Sequence, residues 1–216
     1  MYCVLYCRVM GACPLCSVRA AKRYCPAKHA DICSVCCGTK REVEIDCPSN
    51  CVYLKTGRSY EALKQVPDAE SVERIRRFDN TFFYQFSAEI LTIYRAIFEE
   101  RAASPAMADR DVIEVYRSLM TTMKTLSSGL YYDSMPEGGL VPQALFRKVK
   151  PLLETLMAPQ EGGRRSLRVS EVLEILEFLI TTAELNSSNR PKSRRYLDWL
   201  HTILPVPDES SRLIVP

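Results

Sequence analysis

Cysteine is the residue type with the most evident chemistry in this chain, and its distribution is lopsided. All 10 cysteines lie between Cys3 and Cys51, and the remaining 165 of 216 residues have none. Cys13 and Cys16 form Cys-Pro-Leu-Cys, and Cys33 and Cys36 form Cys-Ser-Val-Cys, with 16 residues between the pairs. That matches the C-x2-C-x15–20-C-x2-C spacing of zinc modules. Two cysteines separated by two residues can aim both sulfurs at one ion from a tight turn, and zinc accepts four sulfurs tetrahedrally at about 2.3 Å. A further pair, Cys47 and Cys51, closes the segment as Cys-Pro-Ser-Asn-Cys, while Cys25 and Cys37 stand singly. Pro14 and Pro48 follow Cys13 and Cys47 and pre-set the backbone for turns.

Thiol-dense segments carry either disulfides, as in small secreted domains, or metal in a reducing compartment. Residues 1–12 lack a basic start and a long apolar core, so they do not read as a secretory signal. Metal is preferred over disulfides and over an iron–sulfur or redox centre, and the expected compartment is the cytoplasm. Cys3 and Cys7 fit none of the pairings. A translation start at Met10 would explain the preceding residues, so residues 1–12 are expected to be spurious or disordered.

The other eight cysteines suffice for two structural zinc ions, each with four thiolates. The preferred pairing is interleaved: Cys13, Cys16, Cys33 and Cys36 on one ion, Cys25, Cys37, Cys47 and Cys51 on the other. Adjacent cysteines such as Cys36 and Cys37 rarely serve one ion, and two neighbouring ions let them diverge. Two alternatives stay open: His29 replaces Cys37, or the first site alone exists. Eight thiolates around two zinc ions carry about −4. Residues 1–60 hold nine Lys or Arg against four Asp or Glu, so much of that basicity compensates thiolate charge.

Residues 13–54 resemble HIT-type and other treble-clef or cross-brace zinc fingers, and are similar to cysteine boxes of uncharacterised bacterial proteins. The match is carried by Cys13-Pro-Leu-Cys16, Arg23-Tyr-Cys-Pro26, Ile32-Cys-Ser-Val-Cys-Cys37 and Asp46-Cys-Pro-Ser-Asn-Cys51. It departs from HIT fingers at Lys28, where their second pair places a cysteine, and near the end, where they use histidine. The resemblance implies zinc, a small folded module and partner binding, without naming a reaction.

Behind these residues must stand elements that hold them. Residues 55–68 read as a linker with at most one short helical turn. From Ala69 onward apolar residues recur at helical spacing. Ile75, Phe78, Phe82, Phe86, Ile90, Ile93 and Ile97 form one face, on a single long helix or one bent near Asp79-Asn80. Val112, Tyr116, Leu119, Met123 and Leu126 form the next, stopped by Ser128-Gly129; Leu145, Val149, Leu152 and Leu156 follow, stopped by Pro159. Ser170 is the expected N-cap of a helix carrying Val172, Leu176, Leu179 and Ala183, and Pro191 is expected to open the last helix, with Tyr196, Trp199, Leu200 and Ile203. The fold class is therefore mainly α: a zinc module over residues 13–54, a bundle of about five helices over 69–204, and a flexible tail over 205–216.

Composition narrows the function. Apolar residues make up 47% and charged residues 25%, as in ordinary globular proteins, and no apolar run is long enough to span a membrane. The sequence has neither H-E-x-x-H nor a glycine-rich phosphate loop nor a nucleophile elbow, and its two histidines, His29 and His201, are far apart. A non-enzymatic adaptor is the preferred reading. A protein is the preferred partner, and nucleic acid the second, through Arg19, Lys22, Arg23, Lys40 and Arg41, with Tyr24 and Tyr53 for stacking. The alternatives are a zinc- or thiol-responsive redox switch and a CxxC thiol oxidoreductase. The basic run from Arg190 to Arg195 reads as a solvated helix start.

Overall fold

A computed structural model of the chain describes residues 11–64, 69–159 and 165–204. It is mainly helical, at 62% helix, with two short strands and a cysteine-rich N-terminal cluster followed by helices. The described residues fall into two units: residues 11–64 together with Arg190–Lys192, and the rest. Cys3, Cys7 and Met10 lie outside the described residues, as do positions 205–216 of the expected tail.

In the cysteine unit, strands β1 (Arg23–Cys25) and β2 (Ala30–Ile32) pair antiparallel in the register Arg23↔Ile32, Tyr24↔Asp31, Cys25↔Ala30. Helix α1 (Ser34–Thr39) follows directly, with Cys33 as its N-cap. Helix α2 (Val52–Lys64) then occupies most of the segment that the sequence reads as a linker. Thr56, Gly57 and Ser59 make its local propensity poor. The structure uses each of them. The hydroxyls of Thr56 and Ser59 donate to the carbonyls of Val52 and Lys55 one turn back, at 3.0 and 3.1 Å. Gly57 leaves space that the Arg41 guanidinium fills, since a Cβ there would stand 1.5 Å from Arg41 Nη1.

Among the described residues the helical unit holds six helices, close to the expected five or so. The first apolar face is split between α3 (Ala69–Arg76) and α4 (Asn80–Ala103), because Asp79 stops one helix and caps the next, its Oδ1 accepting from Phe82 N at 3.0 Å. α5 (Asp109–Ser127) ends before Gly129, which takes a positive φ of 80°, and α6 (Leu140–Met157) ends before Pro159. α7 (Val169–Asn186) starts two residues earlier than Ser170 allows: Arg168 is its N-cap, and the Glu171 carboxylate reaches back to Arg168 N at 2.8 Å. α8 (Arg195–Ile203) is not opened by Pro191. Its first amides are capped from another helix, since the buried Asp109 carboxylate of α5 accepts from Tyr196 N and Leu197 N at 3.2 Å each. The hydroxyls of Ser193 and Ser187 donate to the same carboxylate, at 2.7 and 3.2 Å.

The apolar faces read from the sequence converge as one core. Phe82, Phe86, Ile90, Ile93 and Ile97 meet Val112, Tyr116, Leu119 and Met123, Leu145 and Val149, Val172, Leu176 and Leu179, and Tyr196 and Leu200. Two buried hydroxyls, of Tyr116 and Tyr196, satisfy one another at 3.0 Å. No helix among the described residues is long and apolar enough to cross a membrane.

Candidate metal centre

Cys13, Cys16, Cys33 and Cys36 bring their four sulfurs within 4.8 Å of one another, so this cluster can hold a metal ion. The edges of a tetrahedral zinc–thiolate site, at about 2.3 Å per bond, are about 3.8 Å, and Cys16 Sγ to Cys33 Sγ is 3.9 Å. A disulfide requires about 2.05 Å; all eight described cysteines are free thiols. This spacing would suit four ligands around one ion.

Local structure explains how each sulfur is held. Cys13 and Cys16 sit in a tight turn, with Cys16 N and Ser17 N both donating to Cys13 O, at 3.2 and 2.7 Å. The turn is closed by Cys13 N to Arg19 O at 2.8 Å, and Ser17 accepts a left-handed φ of 54° to complete it. Cys33 leaves β2 and caps α1, its sulfur accepting from Cys36 N at 3.3 Å. Cys36 lies on the first turn of that helix, which brings it back beside Cys33. Cys13, Cys33 and Cys36 are buried and Cys16 is half-buried.

Protonation within the cluster is uneven. Burial raises the Cys13 thiol, but backbone N–H groups of Cys33 and Leu15 outweigh it and leave the thiol below its usual range. The N–H groups of Val18 and Arg19 hold Cys16 down, at about 6. Burial, then its hydrogen bonds with Cys33, Cys16 and Cys13, push Cys36 up to about 12. A bound cation would displace the proton that Cys36 retains. Lys40, at the C-terminal end of α1, is raised by its hydrogen bond to Glu44.

The other four predicted ligands gather more loosely. Among the described residues no second group of three sulfurs closes to 4.8 Å. Cys25, Cys37, Cys47 and Cys51 nevertheless line one small cavity of about 10 Å³, with Ile32, Ile45 and Leu54 as apolar walls. That is room for a single atom-sized guest. Cys25 ends β1, Cys37 stands on α1, Cys47 leads a turn closed by Cys51 N to Pro48 O at 2.9 Å, and Cys51 directly precedes α2. Burial raises the Cys47 thiol against a hydrogen bond from Glu42 N, and Cys51 and Cys25 add to the rise. His29, the alternative ligand, is exposed in the β1–β2 turn at a φ of 49°, and does not line this cavity.

The basic residues divide as well. Arg19 and Lys22 are exposed. Arg23 stacks over Tyr53 at 4.8 Å, and Lys40 pairs with Glu44 at 2.6 Å. Arg41, expected on the surface, is 9% exposed and lines the second cavity. The run from Arg190 is no free solvated start either: Arg190 pairs with Glu61 at 2.9 Å and Glu42 at 3.6 Å, and Lys192 N donates to Glu42 O at 2.8 Å. Sequence reading misses Glu42, whose left-handed φ of 55° turns its amide to Cys47 while its buried carboxylate accepts from Arg58 at 2.6 Å. The one signal in the sequence is position: Lys40, Arg41 and Glu42 directly follow the last residues of α1.

Comparison of the chain with protein families, with curated proteins and with solved structures finds no match.

Proposed function

We propose that this chain is a non-enzymatic zinc-binding protein. Its cysteine unit holds two structural zinc ions through thiolates alone, in the manner of the HIT-type and cross-brace fingers it resembles. The folded unit serves as an adaptor for a protein partner, or for nucleic acid through Arg19 and Lys22, the exposed members of the basic set read from the sequence. The observation that carries the reading is the four-sulfur cluster of Cys13, Cys16, Cys33 and Cys36, all within 4.8 Å of one another, with Cys16 and Cys33 3.9 Å apart. Soft thiolates in a tetrahedron favour zinc over magnesium, calcium or manganese. Four protein ligands also leave no coordination position for a reactive water, which separates structural from catalytic zinc. A protein partner is favoured by the apolar residues the unit exposes, Val18, Tyr24 and Val35.

One observation favours a second reading, a thiol redox switch or oxidoreductase: the half-buried Cys16 is held at about 6 and so is a thiolate at neutral pH. Elemental analysis of protein purified under reducing conditions, without added metal, separates the two. The structural reading expects two zinc ions per chain and thiols that react only after chelation. A metal-free protein with every thiol immediately reactive would replace it with the redox reading.

A further inference from the structure

The cavity among Cys25, Cys37, Cys47 and Cys51 has a feature that the closed cluster lacks. Arg41 lines it, is nine-tenths buried, and has no acidic partner among the described residues. A buried guanidinium without a counter-charge is costly unless an anion is provided. Four thiolates on a divalent ion would carry about −2 in this space, and an arginine beside them meets that charge. The protein also builds a seat for this side chain, because the guanidinium rests where any Cβ on Gly57 of α2 would stand. Glu42 cannot quench Arg41, being committed to Arg58 and Arg190. Its amide instead donates to the Cys47 sulfur, as N–H groups do for Cys16 and Cys33 in the first cluster.

We propose that Cys25, Cys37, Cys47 and Cys51 form a second thiolate metal site for a zinc-class divalent cation, and that the Arg41 guanidinium, seated on Gly57, is its counter-ion. Binding draws the four sulfurs inward around the cavity they already share. The inference rests on the zinc reading for the nature of the metal, while its ligand set and counter-ion are separate claims. Arg41 is a positioning residue here: it touches no metal and acts through the thiolates.

The test uses the full chain, stripped of metal under reducing conditions and titrated with Co2+, then with Zn2+ in competition with a chelator. Thiolate-to-cobalt absorption counts the sites. Wild type is expected to take up two ions, and Cys47→Ser with Cys51→Ser one, with the first site unchanged. Arg41→Met keeps the stem and loses the charge; it is expected to weaken the second ion about 10- to 100-fold, with Arg41→Lys recovering most of the loss. Gly57→Ala should weaken it in the same direction by unseating the guanidinium, although alanine is the better helix former. Two ions in the Cys47/Cys51 variant would overturn the ligand set. A second ion held equally well by Arg41→Met would overturn the counter-ion. One ion in wild type, lost on Cys13→Ser, would remove the second site and leave the first centre standing; no ion at all would remove the zinc reading itself.

Discussion

The two units solve the same problem with different materials. The helical unit buries a carbon core in which Leu119, Leu145, Val172, Leu176 and Leu179 are fully inaccessible. In the cysteine unit the buried cluster is formed by four cysteines, Cys13, Cys25, Cys33 and Cys36, with Ile32 and Ile45, and Leu54 is buried as well. A chain segment of this size buries too little apolar surface to offset its ordering entropy. One unit can therefore stand on hydrophobic packing, while the proposed metal would supply what the other lacks.

Metal removal is the most severe way to break this contrast. Structural zinc contributes on the order of 10–16 kcal/mol in small modules. Chelation, or Cys33→Ser, should therefore abolish amide-exchange protection in residues 11–64 and leave that of α4–α7 in place. Loss of protection in both units together would show that the helical unit has no stability of its own.

Next in size is a cavity in the carbon core. Leu119→Ala should destabilise the helical unit by about 2–5 kcal/mol in urea and leave zinc content unchanged. A drop in bound zinc would mean the two units share their stability.

A smaller effect is expected where the helical unit depends on charge. Glu171 is 3% exposed, and its carboxylate accepts from Gln85, Arg165, Arg168 and the Arg168 amide. Burial pushes it up, but those bonds win and hold it at about 2, against an ordinary 4.5. Glu171→Gln should cost about 1–3 kcal/mol at neutral pH. Because the folded value is depressed, this contribution is complete above about 4.5 and fades as pH falls through about 2. Urea titrations of wild type and variant should converge on acidification; a gap that persists below that range would assign the loss to packing.

The finest discrimination comes from pH at the metal. Cys36 must lose a proton to bind an ion throughout the neutral range, and Cys16 adds another below about 6. Zinc affinity should weaken as pH falls, and by a further tenfold per unit, about 1.4 kcal/mol, once below that point. Competition titrations across the range measure the slope. A slope that stays constant through pH 6 would contradict the uneven protonation of the cluster.

Parts of this structure are legible in the residues alone because their causes are local or periodic. Cys-x-x-Cys spacing predicts that two pairs meet, and the apolar periods on α4, α5, α6 and α7 predict which faces are buried. The misreadings share a different cause. α2 looks like a linker because Gly57 is poor in a helix, and only Arg41 packed against it explains the glycine. Ser170 looks like a cap, but the Glu171 carboxylate satisfies the amide two residues before that serine. Pro191 looks like a helix start, but Asp109 supplies the cap for α8 from another helix.

The amino-acid sequence by itself determined that eight closely spaced thiols precede a helical region with one apolar face per helix, since ligand spacing and hydrophobic period are properties of neighbouring residues. Only the tertiary structure decided which sulfurs close to bonding range, that His29 stays out, and that Arg41 turns inward. Those outcomes depend on where separate elements place their side chains, and no local pattern carries that information.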